Sequence, residues 1–225
     1  FRNCTPDINS QERVVIGCDS GLKKHYVLGN RDGIFYAGIA RDWKEIEDLL
    51  AKYKQSIAVI DALPDLTEPR RLREKYPGRV FLCHYAKDRK TFQLIRWGQD
   101  KEAGNVLVDR NRTIQIVIDD FANNKIPLQG TQDDWAEFQS HFATLYKIFE
   151  PDNLGVPQFK WESSNGIDHF VHASVYWRVG MDRFKNDGGK IFTGELDMFQ
   201  KVPHIQGDNT MVVYPKFIYD KNDDD

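Results

Sequence analysis

The stretch VVIGCDSGLKKHYVL, residues 14–28, decides the fold. Val14, Val15 and Ile16 are contiguous β-branched residues, the pattern of a strand buried on both faces of a sheet. The run ends at Asp19, where a carboxylate packs poorly but looks out over the edge of the sheet. Ser20 and Gly21 break the run, two lysines follow, and the chain becomes apolar again. The segments KKHYVLGN (23–30) and GIFYAGIA (33–40) alternate around Asp32-Gly33, a strong turn signal, and predict a hairpin.

Working outward, DWKEIEDLLAKYK has Trp43, Ile46, Leu49, Leu50 and Tyr53 at helical spacing, with Asp42 as N-cap. SIAVIDALP supplies a short buried strand at 57–60 that ends on Asp61. TEPRRLREKYP opens a helix with Thr67 as N-cap and Pro69 in its first turn, and GRVFLCHY is another buried strand. Strand–helix–strand alternation implies parallel pairing with right-handed crossovers, and the hairpin adds antiparallel strands. The first 85 residues therefore predict a mixed α/β sheet covered by helices. Beyond residue 90, KTFQLIRWG and GNVLVDR read as strands and residues 110–123 as a helix with Ile114, Ile118 and Phe121 inward. TQDDWAEFQSHFATLYKIFE reads as one amphipathic helix, QFKWES as a short strand, and GIDHFVHASVYWRVG as a helix of about three turns. From Asn186 onward the pattern is mostly loop and short strand.

The whole-chain balance is consistent with this. With 40% hydrophobic residues, the chain can bury a sizeable core. A net charge of -3 does not advertise a nucleic-acid binder, so such binding needs a local patch. Three cysteines without CxxC spacing exclude a disulfide framework; Cys18 and Cys83 lie in apolar runs and read as buried thiols. No apolar stretch approaches the roughly 20 residues of a membrane span, and no secretory signal is present. The chain begins at Phe1 and contains no GxxxxGK[ST] phosphate loop, which suggests an excised piece of something larger.

Asp19 and Asp61 each follow an apolar strand directly. If these strands are parallel neighbours, both carboxylates emerge at the end of the sheet where ligands bind in open α/β folds. Side by side they repel unless a divalent cation neutralises them. Each residue alone also reads as a strand-exit turn residue. In NGIDHFVHASVYW, Asp168 and His172 are four apart on one helix face, with His169 three before His172. This set reads either as a capping aspartate with half-buried histidines or as metal ligands. Imidazole suits manganese or zinc better than magnesium.

Taken together, VVIGCDSG, SIAVIDALPDLTEPRRLREKYPGRVFLCHY and NGIDHFVHASVYW resemble the nuclease domain of tailed-bacteriophage large terminase subunits, over residues 13 to about 180 and in the same order. The family's helix often reads Asp-His-x-x-Asp-Ala-x-x-Tyr; here His172 stands at the second acid. The resemblance implies an α/β fold with a ribonuclease H-like mixed five-stranded sheet, flanking helices and C-terminal additions. It also implies one nuclease domain over 1–225, with 186–225 as a C-terminal extension. Its implied activity is two-metal-ion hydrolysis of double-stranded DNA during viral genome packaging, in the host cell cytoplasm. The implied cofactors are two Mg²⁺ or Mn²⁺ ions, with Asp19 bridging, Asp61 on one ion, Asp168 on the other, and His169 or His172 completing the set. Implied partners are the terminase ATPase domain, the small terminase subunit and the portal. DNA phosphates could meet Lys23 and Lys24 beside Asp19, Arg70 with Arg71, Arg73 and Lys75 on the helix after Asp61, a cluster that reads more readily as a solvated helix face, and Lys87, Arg89 and Lys90 after the strand at 79–85. The tryptophans read as core rather than as stacking platforms. Competing readings are another ribonuclease H-like nuclease of resolvase or transposase type, an actin-like ATPase half suggested by GCDSG, and a non-catalytic DNA-binding or assembly module.

Overall fold

The computed structural model describes residues 12–86, 93–151, 155, 157–186 and 212–213. Strand β1 (Val15–Asp19) is followed by the hairpin β2 (Lys24–Asn30) and β3 (Gly33–Ala40), helix α1 (Trp43–Lys52), β4 (Ile57–Asp61), α2 (Thr67–Lys75) and β5 (Val80–Tyr85). Next come β6 (Ile95–Trp97), β7 (Asn105–Val108), α3 (Arg110–Ala122), β8 (Leu128–Gln129) and α4 (Ala136–Ala143). The described chain continues with β9 (Leu145–Pro151), β10 (Pro157–Ser163), α5 (His169–Asn186) and β11 (Val212–Val213).

Nine strands form one sheet in the order β11-β8-β3-β2-β1-β4-β5-β7-β6, while β9 and β10 make a separate antiparallel pair. β1 pairs antiparallel with β2 and parallel with β4; β4, β5 and β7 continue in parallel. The α/β class with a mixed sheet is therefore present, but the expected five strands are nine. β7 and β6, both read as strands from the sequence, extend one edge and β8 and β11 the other; the last two, of two residues each, carry too little pattern to announce them.

Side chains alternate across the pleat, so each strand feeds two cores. Val14, Ile16, Cys18, Ala58, Ile60 and Val80 meet Ile46, Leu49 and Leu50 of α1 and Leu72 of α2 on one face. Val15, Val27, Val59, Phe81 and Cys83 meet α3, α4 and α5 on the other. Helix α5 is buried nearly all round, and Phe170, Val171, Ala173, Val175, Tyr176, Trp177 and Val179 are fully buried, as a central helix requires. It lies almost on the backbone of β1. A Cβ on Gly17 would stand 2.1 Å from the Ala173 carbonyl oxygen and 2.3 Å from the Trp177 nitrogen. A buried ion pair, Arg178 Nε to Asp120 Oδ2 at 3.2 Å, pins α5 to α3.

Several expectations need correction. The amphipathic segment 131–150 is not one helix: a 3₁₀ turn over Gln132–Trp135 leads into α4, which stops at Ala143, and the remainder is β9. Its partner β10 covers it residue by residue, and Lys147 lies over the rings of Phe159 and Trp161. α5 runs 18 residues rather than three turns. Thr67 does not cap α2; the N-cap is Leu66, and the Asp65 carboxylate accepts from the Thr67 amide at 2.9 Å. Asp42 caps α1 as expected, accepting from the Glu45 amide at 3.1 Å. Cys18 and Cys83 are buried thiols, and Trp135, Trp161 and Trp177 belong to the core. Of the C-terminal extension, Asn186 belongs to α5 and Val212–Val213 form β11; the rest lies outside the described residues.

Candidate functional site

β1 and β4 run in parallel with Cys18 opposite Ile60, so the next residue of each, Asp19 and Asp61, shares one edge of the sheet. Neighbouring strands are about 4.8 Å apart, which holds the two carboxylates close. Both side chains point to the α5 face, because Val15, Gly17 and Asp19, like Ile57, Val59 and Asp61, alternate onto that side. Burial pushes the Asp61 carboxyl above its usual range; the Leu63 amide, donating to Oδ1 at 3.1 Å, pulls it down, and the nearby Asp19 charge pushes it up again. The Tyr176 hydroxyl lies beside Asp61 and helps hold it down, but makes no hydrogen bond of good geometry. Ser20 Oγ donates to the Leu63 carbonyl at 2.7 Å and ties together the loops that leave the two strands.

The first turn of α5 closes over this edge. His169 donates from Nδ1 to Asp19 Oδ2 at 2.8 Å. That bond raises the pKa of His169 above its ordinary 6.5, against the lowering effect of burial. His25 is the cross-strand neighbour of Asp19 on β2. Its ring stacks on His169 with centroids 4.4 Å apart and 15° between planes, and meets Phe170 edge-on at 5.0 Å. Burial, then the charges of His169 and His141, lower His25 to about 4. His141, on α4, is buried beside both and accepts from the Phe170 amide at 3.1 Å. Donor atoms of Asp19, His25 and His169 all lie within 4.8 Å of one another.

Asp168 and His172 form a second group. His172 Nε2 stands 3.3 Å from Asp168 Oδ2, as their four-residue spacing predicts. With Nε2 facing the carboxylate, Nδ1 accepts from the Tyr85 hydroxyl at 2.7 Å. Arg110 reaches within 4.0 Å of the same Asp168 oxygen. Burial pushes Asp168 up, but His172 and then Arg110 outweigh it and hold the carboxyl below its ordinary value. Asp168 therefore already has His172 and the Arg110 cation as partners, unlike Asp61.

The sequence-predicted residues thus fall into three arrangements. Asp19, Asp61 and His169 share one pocket edge, with Asp168 and His172 beside it as a pair of their own. Lys23 is exposed on the loop after Asp19, whereas Lys24 donates to the Leu22 carbonyl at 3.3 Å and sits 5.6 Å above the Trp43 ring. Of the basic side chains on α2 only Arg70 is exposed without an ion pair among the described residues. Arg71 pairs with Glu47 and Glu68, Lys75 with Glu47, and Arg73 with Asn105, so the expected arginine face is largely neutralised. Lys87, Arg89 and Lys90 lie outside the described residues. Sequence reasoning missed His25, His141, Tyr85 and Arg110. Counting back along the hairpin would have found His25, since antiparallel pairing across the Ser20–Lys23 loop sets it opposite Asp19.

No protein-family model matches the chain, and no curated protein matches its sequence.

Proposed function

We propose that the protein is a metal-dependent nuclease of ribonuclease H-like type that hydrolyses phosphodiester bonds in double-stranded DNA. One observation carries this: two adjacent parallel strands end on Asp19 and Asp61 at a single edge, facing the first turn of a buried helix that brings His169 to Asp19. The central strand order β3-β2-β1-β4-β5, antiparallel over the first three and parallel over the last two, supports the ribonuclease H-like reading. By the same resemblance we assign it to the nuclease part of a terminase large subunit, working with an ATPase domain, a small subunit and a portal.

The donor set fits a divalent cation. Asp61 sits above its usual pKa beside Asp19, the strain that a bound cation relieves. Asp19 and Asp61 would hold Mg²⁺ or Mn²⁺, and Asp168 a second ion only by giving up its contacts with His172 and Arg110. Such ions supply charge neutralisation at the phosphate and an activated water. The chain's own groups do the rest. His169, 37% exposed at the side chain, is held at the carboxylate edge by its bond to Asp19 in the cation-free protein. Exposed Lys23 and Arg70 hold backbone phosphates without reading sequence.

The test is plasmid cleavage by the 225-residue chain in Mg²⁺ or Mn²⁺. Asp19→Ala and Asp61→Ala should each lose about 100-fold or more in rate. Wild-type rates in both variants would overturn the proposal, and preference for a four-way junction over linear duplex would move it to the resolvase type.

A further inference from the structure

Resting on that metal-dependent reading, we infer that the cation at Asp19 is a transition-metal ion such as manganese, ligated by the imidazole nitrogens of His25 and His169 together with the Asp19 carboxylate. The cluster is mixed rather than purely acidic. Among the described residues, Asp19, His25 and His169 are the one group of three histidine, cysteine or acidic side chains whose donor atoms all lie within 4.8 Å. His25 is 5% exposed, and its Nδ1 is buried with no hydrogen-bond partner among the described residues. An unpaired buried imidazole nitrogen is destabilising, so the fold tolerates here a loss that a cation would recover.

The position of His25 is set by the backbone, since cross-strand pairing makes it the direct neighbour of Asp19 on the same face of the sheet. His169 is set independently, by the first turn of α5. Two elements distant in sequence thus bring imidazoles to one carboxylate. Gly21 crosses the mouth of the cluster; even a Cβ there would only reach ordinary contact, 3.9 Å from Asp19 Oδ2 and from the His169 ring. Magnesium keeps oxygen ligands and waters, whereas manganese, cobalt and zinc accept imidazole, so this donor set selects against magnesium. The two rings lie nearly parallel, and a shared ion requires them to tilt towards each other. In the same step His169 would release its Nδ1 proton to solvent and exchange its hydrogen bond to Asp19 for a bond to the ion.

The experiment measures binding of MnCl₂ and MgCl₂ by calorimetry, together with pulsed electron paramagnetic resonance of the Mn²⁺-loaded chain. Manganese should bind at least about tenfold more tightly than magnesium. Its spectrum should carry ¹⁴N modulation from two imidazoles, reduced to one in His25→Gln and in His169→Gln. Each variant should lose about 10–100-fold in Mn²⁺ affinity and little in Mg²⁺ affinity. Should His25→Gln fail to fold, His169→Gln at the half-exposed position and the wild-type spectrum still decide the matter. Equal affinities for the two ions, or Mn²⁺ bound without ¹⁴N modulation, overturn the inference; Asp19-dependent cleavage would then leave the nuclease reading standing. Nitrogen modulation without DNA hydrolysis under any cation leaves the metal site standing and removes the nuclease. Absence of binding by either ion removes both.

Discussion

The two faces of the sheet are built differently. Towards α1 and α2 the core is Val14, Ile16, Cys18, Leu28, Ile60, Leu72 and their neighbours, and polar groups serve as caps at its margin. Arg79, for example, donates to the carbonyls of Leu50, Tyr53 and Ser56 at the end of α1. Towards α5, the buried set includes Asp19, His25, His141, Ser174, Asp120 and Arg178. Among the described residues, the His25 Nδ1, Trp161 Nε1, Tyr176 hydroxyl and Trp177 Nε1 atoms there are buried without a hydrogen bond of good geometry. Every such atom costs about 1–3 kcal/mol. The α5 face, which carries the proposed site, thus retains unpaired polar atoms at a cost to stability, His25 Nδ1 on the cross-strand neighbour of Asp19 among them.

Adjacent residues of β1 test that contrast most severely. Ile16→Ala opens a cavity on the α1 side and should cost about 2–5 kcal/mol while leaving the acids in place. Gly17→Ala drives a methyl into the backbone of α5, where the Ala173 carbonyl and the Trp177 amide cannot give way as side chains do. It should cost about 3 kcal/mol and also move His169 off Asp19. Denaturant melts paired with metal titration separate the two: the first variant loses stability alone, the second loses stability and site. Equal retention of metal binding in both would break the distinction between the faces.

Proton linkage supplies a middle-sized effect confined to the α5 face. Burial holds His25 neutral, with its pKa lowered from 6.5 to about 4. Its contribution to the stability of the cation-free protein is complete above about pH 6.5, falls as pH drops through the window, and is gone below about pH 4. The full loss is about 3 kcal/mol. His169 acts with opposite sign: its raised pKa adds stability at low pH that disappears as pH rises through the folded value. Subtracting the pH profile of His25→Phe from that of the unchanged chain isolates the first term. A difference profile flat between pH 4 and 6.5 would mean that His25 is wetter than its 5% exposure implies.

How much of this was legible in the sequence also divides by region. β1 to β5 and α1 followed from contiguous β-branched runs, a helical apolar period, Asp42 at the N-cap and the turn at Asp32-Gly33, all local signals. The placement of Asp19 and Asp61 at one sheet edge followed from chain alternation. β9 did not, because Leu145 and Ile148 keep a helix-like spacing and only pairing with β10 makes the segment extended. The length of α5 was hidden by Gly180, which reads as a stop but lies within the helix and packs against the Val15 side chain. His25 was missed for the same reason as β9. Its meaning is a register, and a register belongs to two strands rather than to one window of residues.

The smallest effect should come from the opposite face, and its smallness carries the information. Asp42 accepts the Glu45 amide at the exposed start of α1, a helix on the other face of the sheet from α5. Asp42→Ala leaves that amide without its cap and should cost about 1 kcal/mol, while Asp42→Asn keeps an acceptor and should cost less. For a chain of this size about 1 kcal/mol is a fall of some 2–4 °C in Tm. Because α1 packs on the face of the sheet opposite α5, through apolar side chains of β1 to β5, Mn²⁺ affinity and plasmid cleavage should stay at their wild-type values. A thermal shift without a functional one makes α1 a support that can be weakened independently of the site. If cleavage falls together with Tm, the two faces share a single cooperative element, and the buried polar groups near α5 would then reflect the stability of the whole sheet rather than a local site.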